Sequence, residues 1–199
     1  MNKPDYKKIV QVLNYIAKKS GGEINYLKAL KLLYLAERLH LREYGRLITN
    51  DSLVAMKLGT LGSQTRDIIT MSEYLPHVVY KYVENKLGRD LDKYIIKEKN
   101  SETNQLSKTD IYCVDKILNS FGKLSKSELV NLTHDLPEWK KHQYEIEEEN
   151  LSVVGLDIVD LFKPSSNSSL EKVFSQTDAK LNLSRDLFQE SLEQQAQLG

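Results

Sequence analysis

Apolar residues recur at helical spacing along most of this chain. Ile9, Val10, Val12, Leu13, Ile16 and Ala17 mark one face of a first helix, with Asp5 placed to cap it and Ser20-Gly21-Gly22 to stop it. The run from Leu27 to Ile48 is denser. It holds no proline, its one glycine (Gly45) lies near the far end, and strong helix formers fill it. Apolar positions cover most of its circumference, and the one charged line, Lys28, Lys31, Arg38 and Arg42, reads as a solvated stripe. A helix of this kind is a central one packed by several others. Gly45 suits the left-handed position just past its end, and the core is expected to assemble on residues 27–44.

Further along, residues 46–58 read as two short extended pieces around Asn50-Asp51. Ser63 is placed to cap a helix from about Gln64 to Met71. Residues 76–84 fit a strand and a helix equally well. Tyr94-Ile95-Ile96 is expected to form a strand against the Val54 region. Ser107 opens a helix through Phe121, and Ser125 with Glu128 has capping-box spacing for another that ends near His134. Pro137 blocks its simple continuation, and a short helix near 157–162 closes a domain spanning 1–163. Pro164-Ser165-Ser166-Asn167-Ser168-Ser169 reads as a linker. In the tail, Leu170, Val173, Phe174, Leu181, Phe188 and Leu192 form a sparse apolar stripe, expected to pack on a partner, a second copy or its own domain. The fold expected is mainly α-helical: a compact domain with a small antiparallel β element at one edge, and a helical tail over 164–199.

Composition narrows the function. The 199 residues balance 28 Lys and Arg against 28 Asp and Glu, so no global charge draws the chain to nucleic acid or an anionic membrane. The single cysteine, Cys113, excludes an internal disulfide and suits a reducing compartment. With no apolar signal region and no run long enough to span a bilayer, a cytoplasmic protein is expected.

Three ordered motifs carry a resemblance. Leu32-Leu33-Tyr34-Leu35-Ala36-Glu37-Arg38-Leu39-His40-Leu41 followed by Tyr44-Gly45-Arg46-Leu47-Ile48-Thr49 resembles the Panacea domain of SocA-like antitoxins, where K-L-L-Y-x-A-[D/E]-x-x-H precedes Y-G-R-P-I-T. Val54-Ala55-Met56-Lys57-Leu58-Gly59-Thr60-Leu61-Gly62-Ser63 resembles the family's strand and G-P-V-P-S turn. Leu132-Thr133-His134-Asp135-Leu136-Pro137-Glu138-Trp139 resembles its L-T-H-x-x-P-x-W segment. Leu47, Thr60 and Gly62 stand where the family usually has proline. The resemblance implies an antitoxin that neutralises a cognate protein toxin by direct binding, without chemistry or cofactor of its own. Delivery of the toxin to a AAA+ protease is the variant within that class. The N-terminal DNA-binding module that some family members carry is expected to be absent.

Candidate chemistry is sparse. No phosphate-cradling glycine loop, H-E-x-x-H or paired-cysteine zinc spacing occurs. Cys113 reads as a packed thiol. Glu37, His40 and Arg46 form the most suggestive polar set. Glu37 and His40 share a helix face, and the preferred reading is structural: both bond the 45–49 turn while Arg46 neutralises Glu37. His134 and Trp139 are expected to lie near the core edge. Together with Phe174 and Phe188 of the tail, these five are the candidate partner-binding residues. Two competitors follow: a DNA-binding autoregulator using the basic stripe, and a hydrolase in which Glu37, His40 and Arg46 face a pocket. Neither nucleic acid nor membrane is an expected partner.

Overall fold

The computed structural model describes residues 4–198. Helix α1 (Tyr6–Lys19) starts at Asp5, whose carboxylate accepts from the Lys7 and Lys8 N–H groups. Strand β1 (Glu23–Asn25) runs into α2 (Tyr26–Tyr44), capped by the Asn25 side chain and ended by Gly45 at φ +66°. A hairpin follows, β2 (Leu53–Met56) and β3 (Gly59–Gly62), then α3 (Ser63–Thr70) and α4 (His77–Lys86). Next come β4 (Gly88–Asp90), β5 (Ile95–Lys97), α5 (Lys108–Phe121) and α6 (Lys126–His134). The last part comprises α7 (Pro137–Lys140), α8 (Gln143–Glu147), β6 (Val154–Gly155), a 3-10 turn (Ile158–Phe162), α9 (Ser168–Val173) and α10 (Asp178–Leu198).

The architecture is mainly α and is organised around α2. Every residue of α2 from Ala29 to Arg42 is buried, with α1, α3, α5, α6, the hairpin and α10 packed round it. Each fully buried leucine there contributes roughly 1.5–3 kcal/mol, which is why the helix is enclosed rather than laid on a surface. Capping boxes at Ser107–Asp110 and Ser125–Glu128 satisfy the opening N–H groups of α5 and α6. Residues 77–86, ambiguous by pattern, are helical, with Val79 and Val83 one turn apart on the buried side.

Several expectations are corrected. The basic line on α2 is not solvated: Lys31, Arg38 and Arg42 are buried. The strand at 95–97 does not meet the Val54 region. It lies between β1 and β4, with Ile24 opposite Ile96, because both isoleucines point into the core beside α1. Val54 instead pairs with Leu61 across the hairpin, and β6 adds at Ala55. The described residues thus form two three-stranded antiparallel sheets, β1-β5-β4 and β3-β2-β6; residues 46–52 are not in a strand. Ser63 is the first residue of α3 rather than its cap. Asp51, buried across the hairpin base, accepts from the Gln64 and Thr65 N–H groups at 2.9 and 2.7 Å and does that work.

The stretch expected as a linker is tied down. Ser165 Oγ donates to the Asp135 carbonyl at 3.0 Å, the Asn167 amide donates to the Asp135 carboxylate at 2.8 Å, and Asn167 caps α9. Leu170, Val173 and Phe174 then enter the main core.

Candidate functional site

Glu37, His40 and Arg46 come together at the C-terminal end of α2, but not as a pocket. Glu37 is buried and accepts from the Ile48 N–H at 2.5 Å, the Thr49 N–H at 3.0 Å and the Thr49 hydroxyl. Its carboxylate therefore holds the turn that follows Gly45. Burial pushes its pKa up to about 7, against the pull of those three donors. His40 Nδ1 lies 2.9 Å from the Arg46 carbonyl and donates to it. Its Nε2 lies 3.0 Å from Thr109 Oγ1 and 3.1 Å from Asp110 Oδ1.

Arg46 does not neutralise Glu37. Its guanidinium reaches the start of α5 and donates to Asp110 Oδ1 at 3.0 Å, with 42% of the side chain still in solvent. Lys8 adds a second ion pair to Asp110 at 2.8 Å. Burial alone would raise the Asp110 carboxyl. The hydrogen bonds from His40, Lys8 and the Ser107 N–H, with the Lys8 charge, overcome it and hold the group well below the usual carboxylate range. The three residues lock the 45–49 turn and α5 onto α2, and they do not converge on open space.

The opposite face of α2 carries a second buried network. Tyr34 Oη and Arg38 Nε both donate to Glu138 Oε1 at 2.9 Å. Arg38 also donates to the Lys163 carbonyl at 2.6 Å, and its guanidinium lies 4.6 Å from the Phe174 ring centre. Arg42 gathers the carbonyls of Leu161, Phe162, Lys163 and Phe174 and the Gln176 side chain. Lys31 Nζ has one hydrogen bond, to the Thr60 carbonyl at 2.8 Å, and burial pushes its pKa down to about 7. Trp139 donates to the Met56 carbonyl at 3.0 Å, and its indole stacks on His134 at 3.8 Å. Gly59, at φ +86°, lets the hairpin turn come close to Thr133, Lys31 and His134 where a Cβ has no room.

Of the candidate partner-binding residues, Glu37, His40, Trp139 and Phe174 are buried, and Phe188 is partly buried against the core. In this arrangement they shape the surface from beneath it; Arg46 and half-buried His134 retain exposure. Asp110 and Glu138, the acids that anchor the two networks, were not candidates. Glu138 alone carried a signal, as a charged residue between Pro137 and Trp139 in a core-edge motif.

The tail helix α10 sits on the end of α2. A Cβ at Gly45 would lie 2.5 Å from the Ser184 carbonyl and 2.8 Å from Leu187 Cβ. Gly45→Ala therefore adds both a strained φ and a collision. Increased hydrogen exchange across 178–198 is expected, with α5 and α6 still protected. Unaltered exchange in that helix would show that the contact is loose.

Among the described residues no group of three or more His, Cys, Asp or Glu side chains is placed to hold a metal ion. Burial pushes the Cys113 thiol up to about 12, which suits packing and not nucleophilic attack. No helix among the described residues is long and apolar enough to cross a membrane.

The family model described as antitoxin SocA-like, Panacea domain, matches residues 30–140, more than half of the chain. This chain belongs to that family. The Panacea segment contains α2 from Leu30, the hairpin, α3 to α7 and both acids that anchor the networks. The carbonyls that receive Arg42 lie beyond it, so the C-terminal region completes the packing of the Panacea helix. No curated protein and no solved structure matches the chain.

Proposed function

We propose that this chain is an antitoxin that neutralises a protein toxin by stoichiometric binding. The observation that carries the reading is the Panacea match over residues 30–140. The chemistry of the fold agrees with it. The polar side chains that a hydrolase would draw on, Glu37, His40 and Arg46, are engaged with the 45–49 turn and α5. The basic line that a DNA-binding reading would need is largely inside the protein, where Lys31, Arg38 and Arg42 cannot reach phosphates. The outer surface displays Tyr74, Tyr80, Tyr94, Tyr112 and Tyr144, a residue type enriched in protein interfaces.

Expressing the protein encoded by the neighbouring gene, alone and together with this chain, tests the proposal. Growth arrest by that protein alone and recovery on co-expression are expected. Arrest that persists at equal expression would contradict it.

A further inference from the structure

We propose that the groove at the N-terminal end of α2 is where the toxin docks, by means of an amphipathic helix. This rests on the antitoxin reading above and adds the surface and the chemistry of its occupant. The groove has a volume of about 600 Å³ and is lined chiefly by Tyr26, Leu30, Met56, Leu58, Ile146 and Leu151. Leu30 and Ile146 form a buried floor, whereas Leu58 and Leu151 stand at the lip, 54% and 45% exposed. Leucines exposed at the mouth of an apolar groove leave a hydrophobic area in water, which marks an interaction site.

Charge on the rim says what fits. On the hairpin and α3 side the groove carries Lys57 and Arg66, the latter paired with Asp67 at 3.2 Å. Lys57 is exposed and makes no ion pair among the described residues. On the α8 side, Glu147, Glu148 and Glu149 follow the lining residue Ile146, and all three are exposed. The complementary ligand has an apolar stripe, an acidic end toward Lys57, and basic residues toward the glutamates. An amphipathic helix with acids in its first turn and bases in its last meets that description, and helix-in-groove docking anchors it by side chains at helical spacing.

The chain's own apolar helix is not the occupant. α10 packs at Gly45, the other end of α2, and 19 residues of helix put those two ends roughly 28 Å apart. The groove is also composite. Leu30, Met56, Leu58 and Arg66 belong to the Panacea segment, while the wall from Ile146 to Ser152 lies beyond residue 140. That wall is where this chain's choice of toxin would reside.

The test measures binding of the neighbouring gene's product to the wild-type chain, to Leu58→Asp with Leu151→Asp, and to Lys57→Glu. Both leucines are half in water, so the double variant should keep the wild-type melting profile. It is expected to lose at least tenfold in affinity and to stop rescuing growth. Lys57→Glu is expected to slow association at low salt and to match the wild type at high salt. If the wild type binds and neutralises but the double variant does so equally well, the docking inference falls and the antitoxin reading stands. If the wild type neither binds nor neutralises, both fall together. A wild-type dimer that the double variant dissolves would give the groove to a second copy and overturn the inference.

Discussion

Replacing Glu138 with alanine is expected to destabilise the fold by about 3–5 kcal/mol, the usual cost of removing one partner from a buried ion pair. Glu138 is fully buried and receives both Tyr34 and Arg38. Without it, Arg38 keeps the Lys163 carbonyl and the face of the Phe174 ring, neither of which carries a compensating full charge. For a protein of this size each kcal/mol corresponds to about 2–4 °C, so a fall in Tm of roughly 6–20 °C is expected from circular dichroism. Glu138→Gln retains an acceptor for Tyr34 and Arg38 and should fall between the two. A Tm within a degree or two of wild type for Glu138→Ala would mean that the network is open to water.

The second large effect concerns pH. Lys31 has an ordinary value of 10.5 when unfolded and about 7 in the fold, through burial. Between those values the unfolded chain binds more protons, so stability rises with pH from about 7 to 10.5, at up to about 1.4 kcal/mol per pH unit. Glu37 behaves in the opposite way. Its folded value of about 7 lies above the ordinary 4.5, so its contribution is full below 4.5 and is lost as pH rises to 7. The two together predict a stability minimum near neutrality. Lys31→Met should abolish the rising arm and raise Tm at pH 6, and Glu37→Gln should flatten the falling arm. Urea unfolding from pH 5 to 10 distinguishes these outcomes. A wild-type profile in Lys31→Met would show that the ammonium is solvated.

Much of the scaffold was legible because its causes are local. The enclosed helix at 26–44, Gly45 at its end, the Asp5 cap, the opening of α5 at Ser107 and the capping box at Ser125–Glu128 all follow from residues within a turn or two of one another. The structural reading of Glu37 and His40 was also accessible, since the turn they hold lies within twelve residues of Glu37. Long-range partners were not. Lys31, Arg38 and Arg42 look like a wet stripe until the Thr60 carbonyl, Glu138 and the carbonyls of 161–163 and 174 are known, most of them more than a hundred positions away. The same holds for the strand at 95–97, which pairs with β1 across seventy or more positions. Hydrophobic pattern alone cannot distinguish a solvated cation from one inserted among carbonyls.

The central claim is that the chain acts by occupying another protein's surface, and a titration tests it most directly. Toxin activity is measured in a cell-free assay at fixed toxin while this chain is added. The account predicts a linear loss of activity that ends at a fixed molar ratio and returns when the complex is diluted or displaced. Complete inactivation by a small fraction of an equivalent, persisting after the chain is removed, would mean that it modifies the toxin catalytically and would contradict the account.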